Sequence, residues 1–271
     1  SGGEKLSAVF TGGVYKEDGA VRGYDFTRYN TMMKLNFKPY SWIAIRPSFN
    51  GSKGVIDDRQ RSTYSMYSML PWDSPYDENG NIVGNRSSAW VNSNSTNYLY
   101  ELQYNWSKYD SYSFNGNFDF DIYLTDWLTF SSVNSYRWST HLDKSYVDPR
   151  TSGAEDKGRV SESTSTNTRR YTNQLIKATR SFGDYHGFLM LGYEFNDGEY
   201  RYHNGSGTGL VPGFAQLDIT STPESVGGNK YEWAVQSFFA NLNADYANKY
   251  LLQLSLRTDG ASNFGSDAAY G

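Results

Sequence analysis

The sequence predicts an all-β protein: an antiparallel up-and-down transmembrane β-barrel, present as an incomplete arc of about nine strands. Three observations predict it. Apolar and polar residues alternate with period two over long stretches, connections alternate between tight turns and long polar loops, and aromatic residues recur at strand ends. Composition agrees, since only 38% of residues are hydrophobic while 24 Tyr, 15 Phe and 7 Trp make up 17% of the chain. Such rings suit a boundary between dry and wet surroundings better than a close-packed interior.

Residues 6–15 read as a first, weaker strand. Residues 29–38 and 42–53 form a hairpin through Pro39-Tyr40-Ser41. The clearest alternation runs from Tyr112 to Leu124, with Phe114, Phe118, Phe120 and Ile122 on one face and Asn115, Asn117, Asp119 and Asp121 on the other. At about 3.3 Å per residue this strand is roughly twice the usual globular length. After a turn at Thr125-Asp126 the pattern resumes through Leu128, Phe130, Tyr136 and Trp138. A second hairpin pairs 171–181 with 187–200 around Gly183-Asp184. A third pairs 233–246 with 249–258, setting Phe238, Ala240 and Leu242 against Asn241, Asn243 and Asp245, and Leu252, Leu254 and Leu256 against Gln253, Ser255 and Arg257.

Short turns fall near 39–41, 125–126, 183–185 and 246–248; the alternate connections, 54–110, 139–169 and 201–230, are long and rich in Ser, Asn and Gly. This places tight turns at one end and large loops at the other, the layout of an outer-membrane barrel. Trp42 and Trp127 each follow a turn, as an interfacial aromatic girdle requires, although a capped sandwich edge would use them similarly. Bacterial single-chain barrels close with an even strand number, so nine strands imply one arc of a larger barrel.

The charge balance, 25 Lys+Arg against 29 Asp+Glu, gives no field that seeks polyanions and excludes nucleic acid as an expected partner. Without cysteine there is neither a disulfide framework nor a thiolate metal site. No apolar run approaches a membrane helix, the best being Phe188-Leu189-Met190-Leu191.

Catalytic chemistry finds little support, and no enzyme activity, metal or cofactor is expected. His141, His186 and His203 are placed in a loop, a turn and a loop, without metal-ligand or triad spacing. Gly205-Ser206-Gly207-Thr208-Gly209 reads as a flexible loop tip, since no helix follows it. Asp77-Glu78-Asn79-Gly80-Asn81 reads as a solvated turn, because Ile82 and Ser88 stand where a calcium loop needs Gly and Glu. Asp119 and Asp121 lie at a separation compatible with glycosidase carboxylates, yet the whole face is polar and a wet lumen explains them. The sequons at Asn94 and Asn204 carry no expectation of glycosylation. The candidate binding residues are therefore those of a wet wall and its loops: Asn115, Asn117, Asp119, Asp121, Asn241, Asn243, Asp245 and Arg257 on strands, with Trp72, Tyr76, Asp77 and Trp90 in the long loop. Aromatic platforms beside amides and carboxylates hold sugars, and they also pack loops upon themselves.

The stretch Lys249-Tyr250-Leu251-Leu252-Gln253-Leu254-Ser255-Leu256-Arg257-Thr258-Asp259-Gly260-Ala261-Ser262-Asn263-Phe264-Gly265 resembles the YLL and R-x-DGSS-x-FG pattern of the SusC/RagA family of TonB-dependent outer-membrane transporters, with Ala261 replacing a usual Ser. Residues 14–19 and the loop phrase 76–81 are similar to family segments less specifically. The resemblance implies a 22-stranded barrel in the outer membrane of a Gram-negative bacterium, surrounded by outer-membrane lipid. It also implies a plug and TonB box, expected outside this stretch, coupling to TonB, and a SusD-like lipoprotein that captures glycans or peptides. The function expected is import of such cargo; the alternatives are a secreted all-β carbohydrate-binding module and a passive porin.

Overall fold

In a computed structural model, the chain forms one nine-stranded antiparallel sheet whose spatial order follows the sequence. The structure describes residue 3 and residues 5–59, 64–92, 96–151 and 157–264; Asn94 of the first sequon and Gly265, the last residue of the family-like stretch, lie outside the described residues. The strands are β1 (Leu6–Asp18), β2 (Asp25–Tyr40), β3 (Ile43–Asp58), β4 (Trp106–Tyr123), β5 (Leu128–Val147), β6 (Arg159–Phe182), β7 (Tyr185–Thr208), β8 (Thr222–Tyr246) and β9 (Tyr250–Ala261). Among the described residues, two short helices, α1 (Tyr64–Tyr67) and α2 (Tyr98–Tyr104), sit between β3 and β4, and a 3-10 turn at Leu217–Ile219 precedes β8.

Register decides which residues share a face, because directly opposed antiparallel residues project to the same side. One row runs Leu256, Ala240, Leu191, Ile176, Phe130, Ile122, Ile43 and Tyr40 across β9 to β2 without a polar residue. On the same face Phe10 is 71% exposed and Leu254 53% exposed, and among the described residues no second sheet covers them. An apolar face this large cannot rest in water. The sandwich reading, and with it the soluble carbohydrate-binding module, is thereby set aside. Among the described residues β1 and β9 each pair on one side only. Lipid leaves no solvent for unpaired N–H and C=O groups, so these edges belong to an unclosed arc of a larger barrel.

Aromatic rings mark the tight-turn end. Tyr185 meets Tyr246 with ring centroids 4.6 Å apart, and Tyr246 stacks on Tyr250 at 6.4 Å. Tyr40 and Trp42 stack at 5.8 Å, and the Arg180 guanidinium lies 5.3 Å from the Trp127 ring. From Tyr185 to Phe195 the apolar face of β7 rises roughly 33 Å along the strand, which at a tilt near 40° is about 25 Å of membrane. Beyond it the same face turns charged, with Arg170 paired to Asp197 and with Arg201 and Lys230 at 2.5 Å and 3.3 Å from Glu199.

The strands outrun the alternation that predicts them. The long connections shrink to 59–105, 148–158 and 209–221, because β3 to β8 continue above the apolar band, β6 as a Ser- and Thr-rich ladder and β7 and β8 with Gly, Asn, Tyr and charged residues. Alternation records contact with lipid, whereas strand length records backbone pairing, and pairing continues where both faces meet water. Three placements are corrected for this reason. His141 lies in β5 and His203 in β7, while His186 is the second residue of β7 and not part of the turn. Residues 205–208 are strand, with Gly205 opposite Glu162 on one side and Val226 on the other, and only Gly209 begins the loop.

Leu254 sits mid-band opposite Leu242. Leu254→Arg should cost about 2 to 4 kcal/mol in denaturant titration of protein folded into lipid vesicles, whereas Ser255→Arg, on the opposite face, should cost well under half as much. Equal costs would contradict the two-faced wall.

Candidate functional site: a polar wall beneath an interlocked loop layer

The face opposite the apolar rows carries all eight strand residues expected to line a lumen. Asn115, Asn117, Asp119 and Asp121 share it on β4, Asn241, Asn243 and Asp245 on β8, and Arg257 on β9, as the register requires. The structure joins several of them to residues the sequence did not single out. Asp121 accepts an ion pair from Arg46 of β3 at 2.8 Å. Arg257 reaches Asp259 at 2.8 Å and Glu194 of β7 at 3.3 Å, and donates to the Ser237 hydroxyl at 2.9 Å. Asn117 donates to Ser48 at 3.2 Å and Asn243 to Asn241 at 3.1 Å. The Asp119 carboxylate accepts the Asn134 backbone N–H at 3.3 Å, so both aspartates of the imagined glycosidase pair hold structural partners.

Aromatic rings lie flat on this wall where glycine leaves room. A Cβ on Gly192 would stand 2.1 Å from the Phe239 ring, and one on Gly198 would stand 2.6 Å from Trp233 Nε1. Each ring carries an arginine, Arg257 at 5.5 Å from Phe239 and Arg169 at 5.4 Å from Trp233. Any larger residue at either glycine would force the ring off the sheet.

Above the wall the loops hold much of the well-buried structure. Asn97 caps α2 by accepting the Leu99 N–H, and its amide donates to the carbonyls of Pro75 and Val83. Glu101, 2% exposed, accepts from Asn85 at 2.6 Å and from Asn105. The Asn105 side-chain amide oxygen in turn accepts the Asp148 N–H at 2.8 Å, which ties the 59–105 connection to that at 148–158. Arg86 donates to the Pro149 carbonyl at 2.9 Å and Tyr98 to the Arg22 carbonyl at 3.0 Å. The third connection joins through the Gly213 N–H, which donates to the Tyr146 hydroxyl at 2.8 Å, and through packing of Leu210, Ala215 and Leu217 on Tyr146, Val160 and Trp106.

The loop candidates separate by exposure. Trp72 is 69% and Tyr76 44% exposed. Trp90, at 7%, lies inside the loop and secures its packing, so it is corrected from a binding platform to an internal support. Asp77 folds a turn by accepting the N–H groups of Asn79 and Asn81, and the Asn81 side-chain and backbone hydrogen bonds hold its carboxyl below the ordinary range. The wall residues that sequence reasoning missed, Arg46, Arg137, Arg169, Tyr171 and Glu194, share the parity of the predicted ones; Arg169 escaped because its segment read as loop.

A sheet with an apolar outer face about 25 Å tall, a polar inner face and tight turns at one end is the wall of an outer-membrane β-barrel. No family model matches the chain. "TonB-dependent receptor P39" of Formosa agariphila is 23% identical over 285 residues, spanning 100% of this chain and 26% of that protein. Among solved structures, the RagAB peptide transporter covers the whole chain with a TM-score of 0.79 at 17% identity, and the 'open-open' state of the RagAB peptide importer gives 0.80 at the same identity. The siderophore receptor PiuA of Acinetobacter baumannii covers 99% of the chain with a TM-score of 0.53 at 14% identity. The chain spans 26% of the curated relative and 32% and 31% of the two RagAB chains. Its fold is that of the barrel wall of SusC/RagA-like TonB-dependent transporters, proteins of the Gram-negative outer membrane.

Asp148 is an acid-sensitive node of the loop layer. Burial raises its pKa, but hydrogen bonds from the Arg150 guanidinium and N–H and from the Tyr146 hydroxyl outweigh that effect, and the value falls to about 2 from an ordinary 3.8. The partner Tyr146 is pushed up to about 12, first by burial and then by its bond to Asp148. A lowered carboxylate pKa stabilises the fold above the unfolded value, and that stability disappears as pH falls through the folded one. Between pH 5 and 2 the loop layer should therefore lose about 2 kcal/mol, read as faster hydrogen exchange in 146–151. Asp148→Asn should be weaker at pH 7 and lack this component; an identical pH profile in the variant would refute the assignment.

Proposed function

We propose that this chain is part of the wall of a TonB-dependent outer-membrane importer for oligosaccharide or peptide cargo, working with a SusD-like surface lipoprotein over the loop layer. The observation that carries the reading is a lipid-facing apolar surface set back to back with a continuous polar wall under an interlocked mouth. The likeness to a TonB-dependent receptor and to the RagAB fold supports it. Energy would reach the barrel through a plug and TonB box carried in sequence outside this stretch. No covalent chemistry is required of the wall. Its amides and paired charges offer hydrogen bonds to a polar solute, while Trp72, Tyr76 and Asp77 stand exposed at the mouth as first contacts.

An importer differs from a porin by its energy requirement, so removing TonB should abolish uptake while leaving the barrel in the membrane. Persistence of uptake at the full rate would favour the passive pore. Within the wall, Asn243→Leu removes an amide that donates a hydrogen bond to Asn241. Its folding cost should stay within roughly 1 kcal/mol, while the uptake rate should fall several-fold. Parallel losses in folded protein and in uptake would count against a lumen role.

A further inference from the structure

We propose that Arg137 and Arg169 form a subsite on this wall for a carboxylate carried by the cargo, an inference that rests on the importer reading. The two arginines are direct register partners across β5 and β6 and project from the polar face. With Ser135 and Tyr171 they line a cavity of about 260 Å³. Like charges set opposite each other across antiparallel strands work against folding, and other cations of the wall are placed beside acids. Arg46 has Asp121, and Arg257 has Glu194 and Asp259. Among the described residues neither Arg137 nor Arg169 makes an ion pair. Arg169 donates Nε to the Asn196 amide oxygen at 3.0 Å and lies against the Trp233 ring, contacts that orient the guanidinium and leave its charge uncompensated.

Guanidinium forks match the two oxygens of a carboxylate, and a pair of them can grip one anion from both sides. Asn115 stands directly opposite Arg137 on β4 with its side-chain oxygen buried and without a hydrogen-bond partner. The group that this arginine pair suits is therefore a carboxylate. The uronic-acid units of an acidic oligosaccharide and the C-terminal residue of a peptide both present that chemistry. The site lies on the wall level with Tyr136 and Trp138, with the upper ladders of β5 and β6 between it and the loops.

The test compares two pairs of probes on the full-length chain in outer-membrane vesicles at low salt: trigalacturonate against its methyl ester, and a short peptide against its C-terminal amide. In one pair the free acid should bind at least tenfold more tightly than its neutral derivative, and which pair does so identifies the source of the carboxylate. In the Arg137→Gln/Arg169→Gln double variant this preference should shrink to within twofold while the barrel keeps its heat-resistant folded form on gels. Arg137→Glu would pair internally with Arg169 and should also remove the preference while the barrel keeps its heat-resistant folded form on gels. Equal affinities for acid and neutral probes, or a preference that survives in the variants, would overturn the subsite. If neutral cargo still enters cells in a TonB-dependent manner while acids gain nothing, the subsite fails alone. If no cargo enters in that manner, the importer reading fails.

Discussion

Lipid offers no hydrogen-bond partner to a peptide group, and this one restriction organises the molecule. Each N–H and C=O within the band must find its mate on a neighbouring strand, so the chain runs in long ladders and returns by the shortest possible turns. Where a turn needs both central residues in the left-handed region, Ala247 and Asn248 adopt it at φ 53° each, and the ladder resumes at once. Once the strands are paired, alternation does the rest. One set of side chains meets lipid, the other meets water, and a slip of one residue would exchange them.

The two halves of the molecule are held by different physics. The band has almost no interior of its own and takes its apolar contacts from the surrounding membrane. The loop layer has a small interior, in which buried polar groups such as Asn97, Glu101, Asn105 and Asp148 satisfy one another. On the opposite face of the band lies the wall, where arginines rest on rings that rest on glycines, a layered arrangement that keeps long cationic side chains flat against the sheet.

Sequence reading recovered the nine strands, their order and the division of their faces, because each of these follows from the period-two pattern. It misjudged the upper halves of β5 to β8, where polar residues and glycines on both faces erase alternation although the backbone stays paired. For the same reason it missed Arg169 while finding Asn115 and Asp121, which stand beside Phe114 and Ile122 in a strongly alternating strand. In the long loop the types of residue were legible and their exposure was not. Trp72 and Trp90 look alike in sequence, and only the folded contacts send one outward and the other in.

The shared buttressing of the mouth has an evolutionary corollary. The connections at 59–105, 148–158 and 209–221 hold one another through Asn105, Asp148 and Tyr146, so none is an independent module. Exchanging one whole loop for that of a relative would tear out supports belonging to the other two. Diversification of such a rim is thereby channelled toward point changes at its outward-facing positions, with the scaffold beneath inherited as a block.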